Sequence, residues 1–324
     1  MVQMRVSLVR IFAALQLMRI PLAAGAAVNL MFATLLARFD SATATFPIST
    51  MPLWGALLAA AVIGSGLFGF AAGMNDLLDA RRDQTFQRNR PLSTGRLTTA
   101  QATLLTFTAL LASMIGASMF GETSMAVAMF TAFGIAMWNT MGRFVPAVGL
   151  LMLGLAQAGS FFIPWIGQSF TLPASLILVQ TIATGSLLHK VLEKRPRLDR
   201  SATILLTILS AGAVVGLTWL SIRRNAAEWP NGETWLALAP IGAMAIFAWQ
   251  SSRALTAPNT IETADSLRRA AAIFPSVAAA GWMLSISHTE WAVVFAVFAA
   301  CVWGLSWMAR EVHDMLGQAT AWRG

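Results

Sequence analysis

Tyrosine is missing altogether from this sequence, so no phenol can serve as acid or base. The single cysteine, Cys301, lies inside an apolar run. It excludes an internal disulfide, and no CxxC metal or redox motif exists. The three histidines, His189, His288 and His313, stand far apart with no HExxH-type spacing. Charge is scarce as well. Only 11% of the 324 residues are charged, against about 25% in a soluble domain. Too few polar groups remain to cover a water-facing surface.

What is present is apolar. Hydrophobic residues make up 57% of the chain, and the mean hydropathy is +0.67. A helix needs roughly 20 apolar residues to cross the hydrocarbon. Candidate segments run over about 11–37, 53–74, 99–120, 123–141, 144–166, 171–189, 202–222, 234–252, 270–287 and 290–309. The first, preceded by Arg5 and Arg10, resembles a signal peptide but reads as an uncleaved helix, because the apolar pattern resumes after Arg19 and Pro21. The ninth holds Pro275 and reads as kinked or re-entrant. The expected fold class is all-α: a single polytopic membrane helical bundle of about nine to ten transmembrane helices over 1–324.

The net charge of +8 would suggest nucleic acid in a soluble protein. Here the basic residues sit in short segments between apolar runs. With the N-terminus in the cytoplasm, nineteen Lys and Arg fall on the cytoplasmic side and three, Arg38, Arg223 and Arg224, on the other. That split follows the positive-inside rule and predicts a multi-pass protein of a bacterial inner membrane, surrounded by membrane lipids and binding no nucleic acid. Ser65, Gly69 and Gly73 recur every four residues, a close-packing face. Thr98 with Gln101 reads as a capping box after the Pro91–Gly95 turn.

The chemistry concentrates in Asn75-Asp76-Leu-Leu-Asp79-Ala-Arg81-Arg82-Asp83, followed by Arg88-Asn89-Arg90-Pro91-Leu-Ser93-Thr94-Gly95-Arg96. On a helix Asn75, Asp79 and Asp83 share one face, bordered by Asp76. Carboxylates gathered at a membrane boundary repel one another unless a cation lies among them. Hard oxygen ligands suit Mg²⁺, and the guanidinium forks of Arg81, Arg82, Arg88, Arg90 and Arg96 match phosphate oxygens. By spacing alone a solvated, charge-rich loop reads the same way.

The strings NDLLDARRD and RPLSTGRLT resemble the first aspartate-rich motif of the UbiA superfamily of intramembrane prenyltransferases, NDxxDxxxD then RPLPSG. The position, between the second and third helices, fits too. A weaker likeness follows the fourth segment, where Trp138-Asn139, Arg143 and Pro146 stand for the family's YNxxxKxxP. Gln157 and Ser160 stand where the family often shows arginine and asparagine. The second motif, DxxxD in the sixth-to-seventh loop, is degraded to His189-Lys190-Val-Leu-Glu193-Lys194-Arg195.

The resemblance implies a UbiA-like bundle and Mg²⁺-dependent transfer of a prenyl group from a polyprenyl diphosphate to a hydrophobic or aromatic acceptor. Metal ligands would be Asn75, Asp76, Asp79, Asp83 and Glu193. Asp79, Asp83 and Arg143 would be catalytic. Asn75, Arg81, Arg82, Arg88, Arg90, Arg143, Lys190 and Lys194 would hold the substrate. With the second acid pair lost, Lys190, Lys194 and Arg143 are expected to share the Asp79 cavity and stand in for metal charge. Two other readings remain: a non-catalytic protein that binds or moves an isoprenoid lipid, and an unrelated channel or transporter.

Overall fold

The computed structural model describes residues 2–86, 90–142, 144–224, 234–256 and 260–315, the side chains of 2–9 and a few others excepted. The described residues fold almost entirely into helices. Among the described residues, seven helices are long and apolar enough to cross a membrane, which makes this a multi-pass membrane protein.

The chain opens with α1 (Val2–Leu17) and α2 (Ile20–Phe39). The run read as one segment over 11–37 is therefore broken. Arg19 sits between the two helices in the left-handed region, φ 48°, and Pro21 starts the next helix. A non-glycine residue there costs roughly 1–2 kcal/mol, so the surroundings of Arg19 must hold it. After the short α3 (Pro47–Thr50) comes α4 (Leu53–Phe86), 34 residues long. At 1.5 Å per residue it extends about 51 Å, well beyond the roughly 30 Å hydrocarbon. The aspartate-rich string thus rides on the end of a helix, not on a loop.

Next come α5 (Thr99–Ser118), α6 (Glu122–Met137), α7 (Pro146–Ser160), α8 (Leu172–Val191) and α9 (Arg200–Arg223). The last three are α10 (Ala239–Ala254), α11 (Thr260–Ser285) and α12 (Thr289–Met315). The Thr98–Gln101 capping box forms at the head of α5. The ninth apolar segment is not re-entrant. Pro275 lies inside a continuous α11 that begins ten residues earlier than the hydropathy suggested.

The two ends of α4 pack differently. Towards its second half it lies close to α5, where added Cβ atoms at Gly66 and Gly73 would collide with Ser113 and Thr106. Ser65 is not part of this contact; its hydroxyl donates back to Ala61 of its own helix. The close-packing face is therefore Gly66, Gly69 and Gly73. Elsewhere α2 is the central post, packing against α4 and α11, while α11 also meets α8, α10 and α12. Phe32 of α2 meets Phe295 of α12 edge-on at 5.8 Å. The outer faces stay apolar: Leu104, Phe107, Leu111 and Ile115 of α5 are all exposed, as expected where the solvent is lipid. α9 is hardly buried at all.

The basic residues separate by end. Asp40 accepts from Ser169, and Ser221 donates to the Ser169 carbonyl. These contacts bring the C-terminal ends of α2 and α9 together with the α7–α8 loop. Here Arg38 donates to the Ile48 and Met51 carbonyls, and Arg224 to those of Ile166 and Gln168. The opposite end carries the motif.

Candidate diphosphate and metal site

The last turns of α4 carry Asp76, Asp79 and Asp83. Carboxylates at the C-terminal end of a helix meet its negative dipole, so they need cations. Arg90 supplies one. Its Nη1 donates to Asp83 Oδ2 at 2.6 Å and to Asp76 Oδ1 at 3.0 Å. Arg19 Nη2 donates to the same Asp76 Oδ1 at 2.9 Å, and the Asn75 amide reaches it at 3.4 Å. The side chains of Asp76 and Asp83 are only 6% exposed, and Arg90 12%. The contact with Asp76 accounts for the left-handed backbone of Arg19, since the chain must turn there to aim the guanidinium back.

The RPLSTGR string acts as a turn. Thr94 and Gly95 donate to the Arg90 and Leu92 carbonyls, and Leu97 to that of Pro91. Pro91 fixes its own φ, and Gly95 takes φ 69°, which glycine adopts without steric cost. The turn folds the chain back so that Arg90 returns to α4. In the same turn Arg96 Nη1 is buried with no hydrogen-bond partner among the described residues. Burial holds the Arg96 guanidinium below its ordinary pKa.

Asp83 is pushed up from 3.8 to about 6. Burial is the main cause. Arg90 opposes it, and the neighbouring charges of Asp76 and Asp79 add to it. The carboxyl thus lacks compensating positive charge despite Arg90. A further cation would restore its ionised form.

The second loop contributes through a helix-capping turn. Lys194 N–H donates to the His189 carbonyl and Glu193 N–H to that of Lys190, with Glu193 left-handed at φ 45°. This is a Schellman ending with glutamate in the usual glycine position. Glu193 and Lys190 are exposed. Lys194 is exposed as well, although protein atoms crowd its ammonium. Its pKa falls below the ordinary lysine value through burial, then through Arg268, Arg19 and Arg90, with Asp79 pulling the other way. Lys194 therefore shares the field of Asp79. Of the cations expected there, Lys190 is exposed, and Arg143 lies outside the described residues, as do Arg88 and the side chain of Arg82.

Two members were missed. Arg19 and Arg268 read in the sequence only as topology markers. Arg268, near the start of α11, pairs with Asp265 at 3.3 Å, and its pKa is lowered by burial and by Arg19. The available signal was a charged residue interrupting or opening an apolar run, which in membrane proteins marks a functional position. Of the other expected residues, Arg81 is exposed. Ser160 donates within its own helix to Gln157. Asn139, on a π-turn (Trp138–Gly142), donates to the Ala71 carbonyl of α4 at 3.2 Å.

Among the described residues no three Asp, Glu, His or Cys side chains gather closely enough to hold a metal by themselves. Asp76 and Asp83 do converge on one cationic nitrogen, however. Mg²⁺ commonly takes one or two carboxylates and completes its shell with water and substrate phosphates. The donor set fits that use.

No family model matches the sequence, and no curated protein matches it. Solved structures do match. A digeranylgeranylglyceryl phosphate synthase aligns over 86% of this chain and 99% of its own, at 14% identity and TM-score 0.56. A UbiA homolog from Archaeoglobus fulgidus bound to Cd²⁺ aligns over 85% of this chain and 99% of its own, at 16% identity and TM-score 0.51. The chain shares the helical fold of these two structures.

Proposed function

We propose that this protein is a divergent UbiA-type prenyltransferase, which transfers a prenyl group from a polyprenyl diphosphate to a hydrophobic or aromatic acceptor within the membrane. The observation that carries this reading is the meeting of Asp76, Asp79 and Asp83 with Arg19, Arg90, Lys194 and Arg268 at one end of an apolar bundle of this fold.

Asp76 and Asp83, with Asp79 and Asn75 beside them, are the residues that would hold Mg²⁺. Bound there, the ion would neutralise charge on the diphosphate. The side chains do the rest. Lys194, Arg19 and Arg268 would present positive charge to the phosphate oxygens, with Arg19 and Arg268 held by Asp76 and Asp265. Arg96, with a buried and unpaired Nη1, offers a further donor. As the carbon–oxygen bond to the prenyl group lengthens, negative charge grows on the departing diphosphate, and these cations stabilise it there more than in the bound substrate. The apolar helices keep water from the allylic cation. Lys194 takes up part of the charge lost with the second acid pair.

One observation favours a second reading, a non-catalytic isoprenoid-lipid binder. Arg90 already bridges Asp76 and Asp83, so the acid pair holds one cation without a metal. One experiment separates the two. Purified protein is incubated with Mg²⁺, labelled geranylgeranyl diphosphate and a membrane extract. Prenyl transfer expects Mg²⁺-dependent release of diphosphate and a labelled lipid product, both abolished in Asp79→Ala and Asp83→Ala. Tight binding with no diphosphate released would favour the binder and overturn the enzyme.

A further inference from the structure

A cavity lies on the lipid-facing side, towards the end of the bundle opposite the aspartates. It is an apolar groove of about 530 Å³ between α6, α7 and α9, within the roughly 300–1,000 Å³ of small-molecule pockets. Phe130, Leu155, Phe162 and Leu220 form its walls. Gly134 of α6 and Gly159 of α7 also line it. A Cβ on Gly134 would meet nothing nearer than Ala156 at 4.0 Å, and one on Gly159 nothing nearer than Thr131 at 3.9 Å. These two differ from Gly66 and Gly73 of α4, where a Cβ would collide. They hollow the groove rather than bring helices together.

Among the described residues, the single charged one lining the groove is Arg224. Its Nη1 is tied to the Ile166 and Gln168 carbonyls at 2.7 and 2.9 Å, which fixes the guanidinium. Its other N–H groups carry no hydrogen bond among the described residues. The preceding residue, Arg223, lies 5.1 Å over the ring of Trp219 one turn back, and Trp219 is exposed. A tryptophan paired with a cation marks the level of the membrane–water interface. The groove thus starts in the hydrocarbon and ends on a held cation at headgroup depth.

We propose that this groove is a binding site for an anionic glycerophospholipid, with one acyl chain between α6, α7 and α9 and the phosphate on Arg224. An arginine fork matches phosphate oxygens, and an apolar channel of this size matches a chain. The site accounts for a cation on the side of the membrane where the sequence places only three of its Lys and Arg residues.

The test is native mass spectrometry of the detergent-purified chain with phosphatidylglycerol or phosphatidylcholine of identical acyl chains. Phosphatidylglycerol should be retained about tenfold more strongly, the effect of one charge-assisted contact. Arg224→Gln should erase that preference. Gly159→Leu and Gly134→Leu should each remove the bound lipid with the melting temperature unchanged, while Gly304→Leu, in open space on α12, should not. If Arg224→Gln fails to fold, the two groove-filling variants decide. Equal retention of both lipids, or phosphatidylglycerol persisting in both filled variants, overturns the proposal. So does loss of geranylgeranyl diphosphate binding in the filled variants with phosphatidylglycerol retained, which would make the groove a channel for the substrate tail.

Discussion

Arg90 is the residue on which the acid cluster turns. Its Nη1 holds two nearly buried carboxylates at 2.6 and 3.0 Å, so it occupies the place of a cation. Removing one partner of a buried pair costs about 3–5 kcal/mol, because the remaining charges stay buried. Arg90→Ala should therefore lower stability by about that amount in chemical denaturation of the purified protein. Millimolar Mg²⁺ should return part of the loss, and no return would argue that the carboxylates do not bind a cation. The raised pKa of Asp83 gives a pH signature. Its folded value, about 6, lies above the ordinary 3.8, so its protonation favours the metal-free fold at low pH, and that gain is lost as pH rises through about 6. Mg²⁺ needs the ionised form. Its apparent affinity, followed by calorimetry, should fall as pH drops through about 6, and that drop should be absent in Asp83→Asn. Glu193 behaves differently. It is exposed and left-handed at φ 45°, a position that glycine fills without penalty. Glu193→Gly should raise stability by about 1 kcal/mol and leave diphosphate binding intact. A loss of metal-dependent binding would restore Glu193 as a ligand.

At the scale of elements, the site is made where helix ends meet. The aspartate-rich string was legible because its period matches one helix and its RP…G tail matches one turn, both local patterns. Its place on the end of α4 was not legible, since hydropathy falls off at the charges although the helix continues to Phe86. Arg19 and Arg268 escaped notice for another reason. Arg19 meets Asp76 across 57 positions of chain, and no local pattern encodes which helix ends converge. The break at Arg19 was hidden as well, because apolar composition continues through it. In the second loop the sequence pointed to Lys190, Lys194 and Glu193 together; the Schellman turn leaves all three exposed, and of these cations Lys194 is the one whose pKa responds to Asp79. Lys194→Ala should therefore weaken prenyl diphosphate binding by roughly tenfold to a hundredfold, the loss of one charge-assisted contact of about 1.5–3 kcal/mol. Arg223→Ala, at the other end, should leave it unchanged in the same titration. Equal effects would mean that bulk positive charge, not the place of Lys194 beside the acid cluster, attracts the diphosphate.

At the scale of the whole molecule, charge and hydropathy decide the arrangement together. The apolar exterior fixes lipid as the solvent, and the helices sort the basic residues by end. Arg19, Arg90, Lys194 and Arg268 share one electrostatic field, whereas Arg38 and Arg224 cap carbonyls at the other end. The same division came from counting Lys and Arg in the segments between apolar runs, nineteen against three, although the bounds of the first, second and ninth segments differ from those of the helices. The count tolerates such errors because a misplaced boundary seldom moves a residue across the bilayer. By the rule that basic residues are retained in the cytoplasm, the end that carries the acid cluster is expected to face it. Reporter fusions after Asp83 and after Arg197 should both report cytoplasm, and fusions after Arg38 and Arg224 the opposite side. A diphosphate made in the cytoplasm would then reach the acid cluster without crossing the membrane. If the fusions after Asp83 and Arg197 report opposite sides, α4 and α8 cannot end at one surface, and Lys194 cannot share a cavity with Asp79.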